Sequence, residues 1–270
     1  MKFLGGFTIG QYIPLDSAVH NLDPRTKFIG LTGVMAYIFL FPSLVVYLFL
    51  MVSLHLVLMF SSLRYRYIWR GLRPVLFLIL FSAFFNLFFT PGETLWWKIT
   101  KEGLYFGLLY AMRIYLLVFS SIILTFTTSP IRLTDAMEYF MKPLKILKVP
   151  VEDIALMLVI ALRFIPTLLE EIDRLIKAQM SRGVDFDRGN LFKRIKRLLP
   201  VFVPLFVSCF KRAEELADAM ESRCYRGGEL RTKREKLSYR AADRLAMVFL
   251  IIAGILCAYL FYALSPALFI

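Results

Sequence analysis

Long apolar segments separated by short polar ones constrain the fold of this chain more than any other feature. The candidate membrane spans are 28–41, 44–60, 75–89, 104–126 and 245–264. At about 1.5 Å per helical residue, the last two are long enough to cross a hydrocarbon core about 30 Å thick. Hydrophobic residues make up 59% of the sequence, more than in an average soluble protein. The pattern predicts an all-α, polytopic membrane protein with about five transmembrane helices.

A break at Phe41-Pro42-Ser43 separates the first two spans. Without it, the first two spans would form one apolar run of 33 residues, 28–60. Proline ends a helix because it has no N–H and its ring clashes with the preceding turn. We therefore expect a tight hairpin of two spans at this point. The third segment, 75–89, is also short for a span.

The distribution of Lys and Arg predicts the orientation of the chain in the membrane. With the N-terminus in the cytoplasm, only Lys98 and Lys101 lie outside. The net charge of +13 then belongs to a cytoplasmic face that suits anionic lipid headgroups and acidic proteins. Nucleic acid is not an expected partner, because basic and acidic residues alternate on helical segments without an aromatic base-stacking motif.

Three regions are expected along the chain. Residues 1–126 form an N-terminal transmembrane region with four spans, and residues 241–270 form a C-terminal transmembrane helix. Between them, residues 127–240 form a cytoplasmic domain of amphipathic helices. Segment 151–169 is apolar enough to be a sixth span. We prefer a helix lying under the membrane, because acidic residues, an arginine and a proline interrupt this segment.

Prolines divide the predicted cytoplasmic domain into helical pieces. Two pieces, 170–182 and 211–223, combine i, i+4 charge pairs on one face with apolar side chains on the other. This pattern predicts two long amphipathic helices, each with an arginine near its C-terminus.

The two helices end in nearly the same sequence, AQMSRG at 178–183 and AMESRC at 219–224. Gly183 is the expected helix stop in the first copy, and Gly227 with Gly228 in the second. One arginine at a helix C-terminus is explained by the helix dipole, but that does not explain why the same frame recurs. Arg182 and Arg223 therefore predict two equivalent partners.

Common catalytic and metal-binding patterns are missing. There is no GxxxxGK[ST] loop to hold nucleotide phosphates, and the only histidines, His20 and His55, lie far apart. Glu170 and Glu171 followed by Arg174 are similar to the paired glutamates of intramembrane CAAX-type proteases, with the spacing one residue short. We expect no catalytic residues, no metal and no cofactor, and treat this protease as a minor alternative.

Arg113 is a notable charge because it lies about ten residues into a predicted span. Asn86, Glu93 and Glu102 are conceivable partners for it. Gly103 and Gly107 form a GxxxG pattern at the start of the same span, which allows close approach of another helix.

Four segments resemble one known family. They are DSAVHNLDPRTK (16–27), TTSPIRLTDAMEYFMKPLK (127–145), ALMLVIALRFIPTLLEEIDRLIKAQMSRGVDF (155–186) and AMESRCYRGG (219–228). Over nearly its whole length the chain resembles the transmembrane T component of energy-coupling factor (ECF) transporters, which import vitamins and transition-metal ions into prokaryotes. The resemblance implies a multi-pass protein of the cytoplasmic membrane and a coupling domain at 127–240.

The resemblance also implies partners and site residues. In that family, two Ala-Arg-Gly signatures end a pair of crossed coupling helices, and each arginine docks into one of two ABC-type ATPase subunits. The signatures correspond here to Ser181-Arg182-Gly183 and Ser222-Arg223-Cys224. An S component that binds substrate would rest on the apolar face of the coupling helices. The alternative is a membrane-anchored scaffold that recruits acidic proteins without using ATP.

Overall fold

A computed structural model describes residues 12–92, 94–96, 99–184, 186, 191–228 and 237–264. The α-helices in chain order are α1 Pro24–Leu40, α2 Leu44–Phe60, α3 Tyr65–Phe89, α4 Lys101–Thr127, α5 Pro130–Met141, α6 Val151–Ser181, α7 Leu191–Glu221 and α8 Ala241–Leu264. A 3-10 helix covers Lys142–Leu147, and β1 Thr94–Trp96 pairs antiparallel with β2 Ile99–Thr100 between α3 and α4. The prediction of an all-α membrane protein is confirmed.

The described residues form two compact units. The bundle unit consists of the described residues of 10–136 and 237–270. The pair unit consists of those of 137–236. The bundle unit contains α1 to α4 and α8, and the pair unit contains α6 and α7; the boundary between the units falls within α5.

Three helices of the bundle unit are long and apolar enough to cross a membrane, α3, α4 and residues Ala241–Ala263 of α8. Helices α1 and α2 have 17 residues each and are joined by a short turn. The predicted break at 41–43 is confirmed. The expectation of a short third span was wrong, because α3 begins ten residues before 75 and continues through Pro74. The first turns of α3 contain basic residues, so a search for apolar segments alone does not include them in the helix.

The predicted close approach at the GxxxG pattern is confirmed. A Cβ atom added to Gly103 would lie 2.9 Å from the carbonyl oxygen of Asn86, and one added to Gly107 would lie 3.2 Å from that of Ala83. Both oxygens belong to the backbone of α3, so the two glycines let α3 and α4 pack with their backbones close together.

A polar network joins helix ends at one end of the bundle unit. Lys27 at the start of α1 donates to the carbonyl oxygen of Thr127 at the end of α4, at 2.9 Å. Asp243 in the first turn of α8 is 1% exposed and accepts hydrogen bonds from the backbone N–H of Asp23 at 2.7 Å and of Arg240 at 2.8 Å. These contacts align the start of α1, the start of α8 and the end of α4.

In the pair unit, α6 and α7 are continuous helices of 31 residues each. The prediction that prolines cut this region into pieces is confirmed at Pro143 and Pro150, which lie at helix starts. It was wrong in the later part, because α6 continues through Pro166 and α7 through Pro200 and Pro204. A proline inside a helix removes one backbone hydrogen bond. At Pro204 the carbonyl that loses its donor is that of Pro200, and Gln179 of α6 donates to it instead at 3.4 Å.

Candidate functional site

The first candidate arginine lies at a well-defined helix end. Gly183 has φ +86° and follows Arg182, the C-terminal cap of α6. The N–H of Gly183 donates to the carbonyl of Met180 at 3.0 Å, and that of Val184 donates to Gln179 at 3.1 Å. This pair of hydrogen bonds is the Schellman arrangement, which satisfies carbonyls that the end of a helix leaves without donors.

The second candidate arginine lies in the same arrangement. Cys224 follows Arg223 and has φ +59°. Its N–H donates to Glu221 at 2.8 Å, and that of Tyr225 donates to Met220 at 3.0 Å. The prediction that Gly227 and Gly228 stop this helix was wrong. The left-handed residue lies three positions earlier, where a cysteine takes the role that Gly183 has in the first copy.

The six residues of the two signatures therefore occupy matching positions. Ser181 and Ser222 lie one residue before the cap, and each hydroxyl donates to a backbone carbonyl of its own helix, that of Lys177 at 3.1 Å and that of Ala219 at 3.0 Å. Both arginine side chains are exposed. In the described part of the chain neither guanidinium forms an ion pair, so both are available to a carboxylate or carbonyl of a partner.

An ion pair joins α6 and α7 midway between the two arginines. Arg212 Nη2 of α7 lies 3.2 Å from Glu171 Oε2 of α6. The hydrogen bond between Gln179 and Pro200 is a second contact. Gln179 follows Glu171 on α6, whereas Pro200 precedes Arg212 on α7. The two helices therefore run in opposite directions here. Arg182 lies eleven residues after Glu171, and Arg223 lies eleven residues after Arg212. Each distance is about 16 Å along the helix axis. The cationic ends consequently point away from each other.

The segment after the second signature is fastened to the beginning of α6. Asp153 accepts hydrogen bonds from the hydroxyl of Tyr225 at 3.3 Å and from the N–H of Gly228 at 3.0 Å. A Cβ atom on Gly228 would lie 2.5 Å from that of Glu152, so only glycine fits. These contacts could not be predicted from the sequence, because no local pattern connects residues 75 positions apart.

Nearby charges also stabilise the start of α6. Lys145 forms an ion pair with Glu152, and the hydrogen bond from Lys145 lowers the pKa of that carboxyl. Asp153 and Glu152 both lie in the first turn, where acidic residues interact favourably with the helix dipole. These contacts explain the acidic residues that interrupt the apolar segment 151–169.

An exposed apolar stripe runs along the middle of α7. Phe202, Phe206 and Phe210 follow at intervals of four residues and are 62%, 54% and 61% exposed. Their rings contact one another in sequence, with centroids 6.2 Å and 4.7 Å apart. Leu199 and Val203 extend the stripe, also with more than half of their surface exposed. A stripe of this size on a protein is typical of an interaction surface.

The paired glutamates of the protease alternative lie next to each other on α6. Glu171 is engaged by Arg212, as described above, and Glu170 is exposed on α6. Among the described residues, no group of three or more His, Cys, Asp or Glu side chains is placed to hold a metal ion.

Comparison with known proteins connects these two helix ends to a family. The family model of CbiQ, described as cobalt transport protein, matches residues 16–234. The chain is similar to the energy-coupling factor transporter transmembrane protein EcfT of Ruminiclostridium cellulolyticum, with 47% identity across 88% of this chain and 91% of the relative. The proteins of the same name from Acidaminococcus fermentans and Streptococcus equi are 45% and 41% identical, across 95% and 96% of this chain and 97% of each relative.

The family match includes both arginine signatures and the helices that carry them. It also includes α1 to α4 of the bundle unit. Because this match and the three relatives cover most of the sequence, the chain belongs to the CbiQ family and is a transmembrane component of energy-coupling factor transporters.

Proposed function

We propose that this chain transmits motion from two ABC-type ATPase subunits to an S component that binds the imported vitamin or metal ion. In this proposal the chain itself is not an enzyme, and the partner subunits hydrolyse ATP. Arg182 and Arg223 each dock into a groove of one ATPase subunit. The apolar stripe of α7 carries the S component.

One observation carries the proposal, namely that two exposed arginines occupy the same position in two helix ends that have the same pattern of capping hydrogen bonds. A guanidinium is always charged and offers a planar set of donors, which suits docking into a groove lined by carboxylates or carbonyls. Two equivalent ends suit two equivalent ATPase subunits.

The contacts between α6 and α7 suggest how motion passes between the subunits. When the ATPase subunits approach each other on binding ATP, they would pull the two helix ends in opposite senses. The Glu171–Arg212 ion pair lies midway and would act as the pivot. A partly exposed pair of this kind contributes only about 0.2–1 kcal/mol, so it guides the helices without locking them.

Orientation is part of the proposal. The end of the bundle unit with the polar network also holds the start of α3, since Tyr67 contacts Phe126 near the end of α4 with ring centroids 6.3 Å apart. Basic residues therefore gather at this end, including those of the first turns of α3 and α8. This asymmetry supports a cytoplasmic assignment for that end of the bundle unit.

The test is a double charge reversal, Arg182→Glu with Arg223→Glu, in the chain co-expressed with its ATPase subunits. We expect the ATPase subunits to be lost from the purified complex, because a carboxylate would replace the docking cation, while membrane insertion is unchanged. Each single variant should retain about half as much ATPase. The measurement is the ratio of subunits after purification through a tag on this chain.

The matched control is Arg174→Glu with Arg226→Glu, which changes the net charge equally at exposed arginines close to the signatures. This variant should keep both ATPase subunits. Stoichiometric ATPase binding by the Arg182 and Arg223 double variant would show that the assignment is wrong. A different outcome would favour the alternative of a membrane-anchored scaffold. In that case the wild-type complex binds both ATPases but does not couple ATP hydrolysis to uptake.

A further inference from the structure

Arg113 lies near the middle of α4, is partly exposed, and has no acidic partner among the described residues. Asn86 does not pair with it, since Asn86 donates to the backbone of its own helix at Ser82. Glu93 lies outside the described residues. Instead, Arg113 Nε donates to the hydroxyl of Tyr47 at 3.0 Å. Its guanidinium carbon lies 5.2 Å from the ring centroid of Phe39 and 5.7 Å from that of Tyr110.

Tyr47, which orients Arg113, is held in place by a backbone carbonyl that the proline of the hairpin turn leaves without a donor. Pro42 has no N–H to donate to the carbonyl of Ile38, four residues earlier. The hydroxyl of Tyr47 donates to that carbonyl at 2.9 Å, and Tyr47 is completely buried. Its oxygen is then left as an acceptor for Arg113 Nε, which fixes the plane of the guanidinium. The terminal nitrogens of Arg113 keep their N–H groups for another acceptor.

Arg113 lies at the level where the short α1–α2 hairpin ends and the longer helix α4 continues. We call this change in height of the bundle the step. Helix α1 has 17 residues and is about 25 Å long, whereas α4 has 27 residues and is about 40 Å long. The start of α1 is level with the end of α4, and Phe39 near the other end of α1 is level with Arg113. The α1–α2 hairpin therefore stops at Arg113, and α4 continues for about 18 Å beyond it.

With α4 spanning the membrane, we expect this step to lie within the hydrocarbon region. Since α4 exceeds a core about 30 Å thick by only about 10 Å, Arg113 is at least about 8 Å from either boundary of the core. The side chains around it are exposed and apolar or aromatic, with exposures of 59% for Phe39, 66% for Leu40 and 37% for Tyr110. Such a rim suits acyl chains, and a cation at this depth is costly unless a polar or charged group pairs with it.

We propose that Arg113 binds the phosphate group of a bilayer phospholipid whose headgroup enters the step above the α1–α2 hairpin. The phosphate accepts hydrogen bonds from the terminal nitrogens of the guanidinium, an arrangement that is often bidentate. The acyl chains of the same lipid cover Phe39 and Leu40. A phospholipid fits this site better than a soluble anion, because the rim is apolar and the site is reached through the membrane.

The test uses the full-length chain in nanodiscs made of equal amounts of palmitoyl-oleoyl-phosphatidylglycerol and digalactosyldiacylglycerol, which has acyl chains but no phosphate. Native mass spectrometry then counts the lipids retained by the released protein. Wild type should retain one phospholipid in preference to the galactolipid. Arg113→Gln should reduce that preference about tenfold or more, as expected when a charged bidentate contact is lost.

Two further variants guard against misfolding. Arg113→Lys keeps the charge and should retain the phospholipid more weakly than wild type, and Tyr47→Phe should do the same because the guanidinium is no longer oriented. Arg70→Gln, an exposed arginine on α3, is the control and should behave as wild type. Inorganic phosphate added to the nanodiscs should not displace the lipid.

Equal retention of both lipids by wild type would overturn the proposal, as would an unchanged preference in Arg113→Gln. Displacement by inorganic phosphate would also overturn it, in favour of a soluble anion. If wild type shows no lipid preference while Arg113→Gln dissociates the assembled transporter, the anion is a carboxylate of a partner subunit and the lipid proposal is wrong.

Discussion

At the scale of single residues, the two signatures differ at one backbone position. Gly183 and Cys224 both follow the arginine and both have positive φ, +86° and +59°. Glycine adopts this conformation freely, whereas a residue with a Cβ atom loses about 1–2 kcal/mol in it. The second helix end is therefore under strain that the first one does not have, although the hydrogen bonds are the same.

Exchanging the residue types at Gly183 and Cys224 should change the stability of the two helix ends in opposite directions. We expect Gly183→Ala to destabilise the end of α6 by about 1 kcal/mol and Cys224→Gly to stabilise the end of α7 by a similar amount. Nothing lies within 4 Å of a Cβ atom on Gly183, so the effect comes from the backbone and not from a clash.

Hydrogen exchange of the amides in the last turn of each helix measures this effect. Exchange should become faster after Gly183→Ala and slower after Cys224→Gly. If both variants change exchange in the same direction, the two ends are not equivalent in construction.

At the scale of helices, prolines and glycines determine how neighbouring helices meet. Pro42 and Pro204 each leave a backbone carbonyl without its usual donor, and side chains of neighbouring helices, Tyr47 and Gln179, take their places. Gly103 and Gly107 allow the backbones of α3 and α4 to approach. In each case a proline or glycine, which would destabilise an isolated helix, allows a contact between two neighbouring helices.

The variant Gly103→Ala tests the contact between α3 and α4. The added methyl group would lie 2.9 Å from the backbone oxygen of Asn86, so the helices must move apart. We expect a loss of about 1–3 kcal/mol in stability, as for an overpacked core, seen as a lower unfolding temperature in detergent.

Gly30→Ala is the matched control, because Gly30 lies inside α1 and a Cβ atom there has nothing within 4 Å. It should leave the unfolding temperature unchanged or raise it slightly, since alanine favours helix. An equal decrease in both variants would mean that helix propensity, and not close packing, explains the glycines.

At the scale of the whole molecule, the question is which side of the membrane each part of the chain faces. The polar network at Lys27, Thr127 and Asp243 brings the ends of α1, α4 and α8 to one level. Basic residues gather at that end, and on the positive-inside rule we propose that it faces the cytoplasm. The proposal requires the signatures to face the ATPases on the same side.

Cys224 offers a direct measurement, because its side chain is exposed while Cys257 is buried. With Cys209→Ser as background and the chain expressed without its ATPase subunits, a membrane-impermeant maleimide should not label Cys224 in intact cells, and should label it in inverted membrane vesicles. Cys224→Ser is the control for labelling elsewhere. Labelling in intact cells would reverse the proposed orientation.

Much of the architecture follows from local sequence. Apolar segment length and the proline at 42 predict the helices of the bundle and the α1–α2 turn, because a membrane requires backbone hydrogen bonds to be satisfied within each helix. The repeated frame at Arg182 and Arg223 likewise predicts two matching helix ends, since capping depends on adjacent residues.

Tertiary structure decides what depends on residues far apart in the sequence. The sequence alone could not show that α7 continues through Pro204, since Gln179 of α6 donates to the carbonyl that this proline leaves free. Nor could it show that Arg113 meets Tyr47 at a step in the bundle, because that contact joins residues 66 positions apart. Local hydrogen bonds determine each helix, whereas packing determines which polar groups meet between helices.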